Sequence, residues 1–338
     1  MTNNSLKQLT KIKQRFDKYK PLPSGLIKNL DDWFKVELTY TSNAIEGNTL
    51  SRKETALVIE KGLTVRGKSI IEHLEAINHS QALTFIKKLA HKKRQDITEN
   101  NILEIHRLIL QKIDDTHAGR YRTVAVRIAG VTGLTLPNPT KIPRLMKQFV
   151  KWLHQKNTCH PAKIASDAHL KLVSIHPFVD GNGRTARLLM NLLLIQNNYP
   201  PALIRKEDRK NYIDSLEKAQ TKNNPDDYYH FIYQAIIRSL NIYIETLSPP
   251  QQPAKSLPTV EDAPPGLLRI GELSQKTGEQ ITTIRYWTKE DLLTVKDYTK
   301  GGYQLYDHSM IARIKKIRQL QNKKRLKITE IKNYFNPS

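Results

Sequence analysis

The chain has 338 residues, 38% of them hydrophobic, and a mean hydropathy of -0.55. That length suits two or three domains with buried cores, and no run approaches the roughly 20 apolar residues of a membrane-crossing helix. The net charge of +23, from 55 Lys and Arg against 32 Asp and Glu, favours nucleic acid or an acidic partner, or else marks a lysine-rich solvated surface.

The first residues, Met1 to Ser5, are polar and contain no apolar signal core, so the expected location is cytoplasmic. The single cysteine, Cys159, can form neither an internal disulfide nor a cysteine zinc cluster; a buried or idle thiol is expected. Residues 1–20 read as a basic helix closed by Pro21 and Pro23, and 26–42 place Leu26, Leu30, Trp33, Phe34 and Leu38 at helical spacing. After a turn at Glu46-Gly47-Asn48, Ser51 is placed to cap a short helix. A long helix follows over 69–90, and another starts near Thr98.

The pattern changes at Gly119. Tyr121, Thr123, Val124, Val126 and Ile128 are strand formers, and Gly130 and Gly133 break the run, which predicts a β-hairpin. Helices are expected again over 141–156, 161–175, 182–197, 208–221 and 226–246, with Pro161 suited to a first helical position. Proline density over 248–265, without apolar periodicity, predicts a linker. Beyond it, helices over 270–276 and 281–289 flank Thr277-Gly278, a helix-turn-helix spacing. A glycine turn at Gly301-Gly302 then separates short extended pieces, Asp307 is placed to cap a helix bearing Ile311, Ile314, Ile317 and Leu320, and a last basic helix carries Ile328, Ile331 and Phe335.

The densest chemistry lies in 176–187, HPFVDGNGRTAR. His176 ends one predicted helix because Pro177 disfavours its continuation. Asp180 follows in the loop, and Gly181, Asn182 and Gly183 open the next helix. Glycines admit an anion close to the backbone, and a helix N-terminus presents free N–H groups to it. Arg184 and Arg187, three apart, can face the same anion. A base, a carboxylate, a phosphate cradle and two guanidinium groups are the parts of phosphorus-centre transfer, without the Gly-Lys-Ser/Thr of a P-loop.

This stretch resembles the Fic motif, HPFx(D/E)GNGRxxR, without departure. The resemblance implies a protein adenylyltransferase that moves AMP from ATP to a serine, threonine or tyrosine hydroxyl of a protein, itself included. His176 would take the hydroxyl proton, and Asp180 would hold Mg²⁺, a hard ion matched to oxygen donors. Gly181, Asn182, Gly183 and Arg184 would bind phosphate, and Arg187 the γ-phosphate. Residues 119–130, GRYRTVAVRIAG, resemble the family's flap, in which Arg127, Ile128, Ala129 and Gly130 would clamp a target segment by strand addition. Tyr212 stands where relatives place an aromatic near adenine, although Gln220 replaces a common Asn. Residues 42–47, SNAIEG, resemble the family's inhibitory motif, (S/T)xxxE(G/N): Ser42 opens it, and Glu46 would pair with Arg187 and withhold it from ATP. The same glutamate in some relatives orients a water that removes AMP, so de-AMPylation is an alternative, as is a DNA-binding regulator with a nucleotide-sensing Fic part.

The order of elements over 268–336 resembles a MerR-type winged helix domain. That likeness puts Thr282, Thr283, Arg285 and Tyr286 on a recognition helix and Tyr303 and Gln304 on the wing. With 15 Lys and Arg against 7 Asp and Glu over 266–338, DNA contact is expected. Operator reading needs two copies at fixed spacing, hence either a homodimer through the Fic part or a module that recruits protein instead. The expected fold is mainly α: an N-terminal helical region over 1–95 with the inhibitory helix, a Fic-type catalytic domain over 96–246 with a β-hairpin flap, a linker over 247–266, and a small winged helix-turn-helix domain over 267–338.

Overall fold

The computed structural model describes residues 2–128, 133–156, 158–247, 266–279, 281–298, 304–324, 326 and 328–335. The chain forms two compact units, Met1–Pro249 and Pro250–Ser338; the proline-rich residues 248–265 and the loop residues 129–132 lie outside the described residues.

The first unit is helical. In chain order it holds α1 (Thr2–Asp17), α2 (Ser24–Ile45), α3 (Arg52–Lys61), α4 (Ile70–Leu89), α5 (Glu99–Leu110), α6 (Ile142–His154), α7 (Pro161–Ile175), α8 (Asn182–Gln196), α9 (Arg209–Thr221) and α10 (Asp226–Leu247). The starts of α3, α4 and α5 are set by reciprocal caps: Ser51 with Glu54, Ser69 with Glu72, and Thr98 with Asn101. Each pair satisfies two N–H groups that a helix start leaves without partners. The Glu72 carboxylate does more, accepting the Thr49 hydroxyl at 2.6 Å and the Thr49 N–H at 2.8 Å. Those bonds, led by the hydroxyl, hold its pKa down to about 2 and pin the chain just beyond the Glu46 turn to the start of α4.

α8 is the axis of the unit. Every residue from Arg184 to Leu194 is buried, so this helix is enclosed on all sides, as a core helix is. α7, α4, α5 and α2 pack around it. The core continues from Leu9 of α1 to Ile244 of α10 without a break, so regions 1–95 and 96–246 share it. α1 joins through Phe16, edge-on to Tyr243 of α10 at 5.5 Å, and Phe34 of α2 stacks on the same ring at 5.4 Å. Among the described residues, 119–128 and 133–138 form no strand ladder; side-chain bonds from Arg122, described below, anchor this segment, and the tip of the expected hairpin, 129–132, lies outside the described residues. Cys159 is exposed rather than buried.

The second unit contains β1 (Leu267–Arg269), α11 (Ile270–Thr277), α12 (Ile281–Lys289), β2 (Asp297–Tyr298), β3 (Gln304–Asp307), α13 (Ser309–Lys324) and α14 (Ile328–Phe335). Its antiparallel sheet has the order β1-β3-β2, with Leu268 opposite Tyr306 and Tyr298 opposite Gln304. β1 was absent from the sequence reading, because three residues are too few to show an alternation. Gly278 ends α11 in the left-handed conformation at φ 73°, which a glycine adopts without steric cost. Ile284 and Trp287 of α12 face the core with Leu273 and Ile314, while Ile281, Arg285 and Tyr286 are exposed. Arg318 of α13 lies 5.0 Å over the Trp287 ring and grips Glu279 through two 2.6 Å bonds.

Among the described residues, no helix is long and apolar enough to cross a membrane. Because α8 is fully enclosed, Leu189→Ala should remove about 2–5 kcal/mol from the first unit, read as a lower urea midpoint by circular dichroism.

Candidate active site

α7 stops at His176, whose backbone is left-handed at φ 50°, ψ 58° and whose N–H still donates to the Leu172 carbonyl at 3.0 Å. Pro177 keeps His176 out of the α region, and the left-handed state of a non-glycine residue costs on the order of 1 kcal/mol. The loop that follows is closed by Asn182. Its Oδ1 accepts the Phe178 N–H at 3.0 Å and its Nδ2 donates to the Phe178 carbonyl at 2.9 Å. The Asn182 side chain is thus turned inward to shape the loop. What the start of α8 offers an anion is the set of N–H groups that have no acceptor four residues back.

Phe178 is buried and stacks on the His106 ring of α5, with centroids 3.6 Å apart and planes 5° apart. His106 Nδ1 accepts the Gly119 N–H at 3.0 Å, so the ring proton resides on Nε2, which donates to the Asp180 carbonyl at 2.9 Å. Burial lowers the His106 pKa to about 4. Gly181 is required beside it: φ is +74°, and a Cβ would sit 3.3 Å from the His106 ring.

Both arginines of α8 are buried and paired. Arg184 Nη1 donates to Glu75 Oε1 at 2.7 Å and Nη2 to Asp180 Oδ2 at 2.8 Å. The other Glu75 oxygen accepts Asn48 Nδ2 at 2.8 Å. Arg187 spends its donors on α2: Nε to Ser42 Oγ at 3.0 Å, and Nη2 to the Ser42 carbonyl at 2.9 Å and to Glu46 Oε1 at 2.6 Å. Glu46 reaches it across Gly183, where a Cβ would stand 2.5 Å from Glu46 Oε1. Desolvation opposes the Arg187 charge, but Glu46 and Tyr212 outweigh it and raise its pKa. The arginine is 6% and the carboxylate 34% exposed, so the guanidinium is buried while Glu46 still reaches solvent, and the pair is only partly screened. Loss of the carboxylate alone would leave Arg187 with the Ser42 hydroxyl and carbonyl as acceptors.

Behind Arg187 lie buried side chains. Tyr212 is fully buried and its hydroxyl meets His169 Nε2 at 2.7 Å, while His169 Nδ1 meets the Tyr228 hydroxyl at 2.9 Å. His169 is therefore a packed histidine, and Tyr212 backs the arginine from the core. Burial, with the Arg187 charge adding to it, lowers the His169 pKa to about 3, and His79 is lowered to about 3 by the same causes. The His176 pKa is also lowered. Burial is the main cause and the Arg122 cation adds to it, against the Val173 carbonyl, Asp180 and Glu46. Asp180 remains 69% exposed at its side chain.

The fold thus brings His176, Asp180, Gly181, Asn182, Gly183, Arg184, Arg187, Ser42 and Glu46 to one place. Of the four flap positions, Arg127 is exposed and Ile128 half-buried, while Ala129 and Gly130 lie outside the described residues. In the second unit Thr283 and Arg285 lie on α12; the Thr282 side chain and all of Tyr303 lie outside the described residues. His106, Arg122, Glu75 and Asn48 were missed by sequence reasoning. One signal existed: Glu75, Asn78 and His79 put a polar stripe at helical spacing into an otherwise apolar face of α4.

Residues 96–194 match the Fic/DOC family, and residues 268–337 match the MerR HTH family of regulatory proteins. The chain is similar to "Protein adenylyltransferase Fic" of Nematostella vectensis, 37% identical over 242 residues that cover 70% of this chain and 55% of that protein. The protein of the same name from Aedes aegypti is 37% identical over 244 residues, covering 72% and 48%. The chain therefore spans about half the length of these curated relatives. Among solved structures, Fic-1 (residues 134–508) of C. elegans superposes with a TM-score of 0.66 at 33% identity, covering 72% of this chain and 73% of that one. A Fic domain containing signaling protein from Bacteroides thetaiotaomicron gives 0.66 at 30% identity, with 71% and 96% covered.

The buried histidines fix the response to acid. His106, His79 and His169 are neutral in the fold, with pKa values of about 4, 3 and 3, against about 6.5 in the unfolded chain. Between those values the unfolded chain binds more protons. Their stabilisation is therefore full above about pH 6.5 and is lost as pH falls toward the folded values. Unfolding midpoints should drop between pH 6.5 and 4; a flat profile would contradict the neutral assignments.

Proposed function

This chain belongs to the Fic family and carries a C-terminal MerR-type helix-turn-helix module, and on that premise we propose that it transfers AMP from ATP to a hydroxyl side chain of a protein, under restraint by Glu46. The observation that carries the reading is one loop. A neutral, half-buried His176 and the open N-terminus of α8 flank residues 177–181, with two buried arginines on the helix behind them.

The target hydroxyl oxygen attacks the α-phosphorus of ATP. The bond to the bridging oxygen of the β-phosphate breaks, and pyrophosphate leaves. The lowered pKa of His176 keeps its imidazole in the base form at neutral pH, ready for the hydroxyl proton. Asp180 fits Mg²⁺: its carboxylate is a hard, exposed donor engaged on one oxygen only, by Arg184. When bound, that ion supplies charge neutralisation on the phosphates. Arg184 and the first N–H groups of α8 hold the α- and β-phosphates, and Arg187 takes the γ-phosphate. Most of the acceleration then comes from positioning and fixed charge.

The same geometry supplies the brake. Three Arg187 bonds go to α2, so a γ-phosphate has to displace Glu46 to obtain that arginine. A triphosphate bound without it takes a different pose, which spoils the in-line attack. In the second unit, the side of α12 away from Ile284 and Trp287 exposes Arg285 and Tyr286. We assign that face to DNA, as the surface a helix-turn-helix lays in the major groove.

With α-phosphate-labelled ATP and Mg²⁺, Glu46→Gly should raise labelling of protein, the chain itself included, by at least about tenfold, the size of one charge-assisted contact. Adding His176→Ala should abolish it while nucleotide binding persists. Label that survives without His176 would sink the mechanism, and nucleotide bound without any label would turn the reading toward AMP removal. For the module, the full chain should shift duplex DNA with affinity that falls steeply with salt, and Arg285→Ala should weaken it; no shift at low salt would exclude the DNA assignment.

A further inference from the structure

Arg122 is 2% exposed and, among the described residues, makes no ion pair. Its donors go to main-chain oxygens. Nε donates to the His176 carbonyl at 2.8 Å, Nη1 to Val124 at 2.9 Å and Nη2 to Pro137 at 2.7 Å. Its own N–H donates to the Pro177 carbonyl at 2.9 Å. A buried cation that faces carbonyls alone is costly, and the desolvation shows as a lowered Arg122 pKa. Space-filling does not account for a guanidinium here; an apolar chain of like length would fill it without that cost. The particular property of arginine is a rigid planar fork with several directed donors.

The three carbonyls come from three separate stretches. Val124 lies on the way into the 125–136 segment, Pro137 on the way out, and His176 heads the motif loop. We propose that Arg122 is a positioning residue for transfer: its fork registers both stems of this segment, and a protein segment docked on it, against the backbone of His176. The proposal rests on the AMP-transfer reading, since it concerns the approach of a hydroxyl to that imidazole. Without the fork, the backbone bond from the Arg122 N–H to the Pro177 carbonyl still holds the incoming stem, but among the described residues no other hydrogen bond joins the outgoing stem to it or to His176. Reacting atoms need placement to within a fraction of an ångström, so loss of this register would cost rate without touching a reacting group.

Arg122 has a second, separable effect. The charged groups that act on His176 are Arg122, which disfavours its protonation, and Asp180 and Glu46, which favour it. Arg122 is the cation of that set. A substitution that keeps the charge and one that keeps only the donors therefore part the two effects.

The test uses the full chain in the Glu46→Gly background, with that parent as reference. Arg122→Lys retains the charge and loses the fork. Amide exchange at 123–128 and 133–138 should quicken, self-labelling should fall by about tenfold or more, and the His176 titration midpoint, followed by NMR and assigned through His176→Ala, should hold. Arg122→Gln keeps donors without charge, and its midpoint should rise above that of the parent. Parental exchange at both stems in Arg122→Lys overturns the proposal, as does labelling that falls only with the folded fraction. If Arg122→Gln does not fold, Arg122→Lys alone decides. A parent that never labels refutes the transfer reading, while exchange and titration still judge the role of Arg122.

Discussion

The site of this protein is arranged around which acceptors the buried Arg187 gets. Its helix, α8, is enclosed along its whole middle and cannot tilt to bring the guanidinium to water. The choice therefore falls to what lies on the outer side. In the chain by itself, α2 supplies the serine hydroxyl, a carbonyl and the Glu46 carboxylate. A γ-phosphate offers the same guanidinium more charge and more acceptor atoms. In the proposed mechanism the two are alternatives in one place. Gly183 is what lets the carboxylate into that place: any Cβ there would collide with Glu46 Oε1 and Arg187 Nη1, at 2.5 and 2.9 Å.

The restraint is broader than one contact. The turn that follows Glu46 is tied to α4 at successive points: Asn48 to Glu75 and to the Glu72 carbonyl, and Thr49 to the Glu72 carboxylate. Glu75 also holds Arg184 on its other oxygen. One carboxylate thus joins the Glu46 turn to Arg184. Displacement of Glu46 need not release the turn, because these anchors stay. The two arginines are linked through α4 rather than only through their shared helix.

Much of this was legible in the sequence for a local reason. The loop from His176 to Arg187 is contiguous, and its helix-breaking proline and glycines fix its shape within twelve residues. Glu46 was legible because a short pattern stood ahead of a complete motif. Helix starts at Ser51, Ser69 and Thr98 were legible because a cap is read within four residues. What escaped depends on long-range contact. His106 lies 74 residues from Asp180, and Arg122 lies 54 from His176; neither position differs locally from an ordinary helix histidine or a surface arginine. Tyr212 shows the converse. Its place in the pattern was read, but the side chain faces inward to His169, because its hydroxyl is satisfied there and its ring fills the space behind Arg187.

The imidazoles explain how the site keeps its charge constant. His79 and His169 lie near the arginines, and burial with those cations holds both at about 3. His106 is held at about 4, and His176 is also lowered. None of the four adds positive charge near neutral pH. In the proposed reaction, phosphate is then held by permanent charges, those of Arg184 and Arg187, and by the α8 N-terminus, and the paired carboxylates are Glu46, Glu75 and Asp180. Protonated histidines at these positions would strengthen phosphate binding but would remove the base from His176 and the acceptor from the His106–Gly119 bond. A neutral imidazole set beside permanent guanidinium charges would, under the proposed transfer, separate the two tasks: arginines to bind, and a histidine free to take a proton.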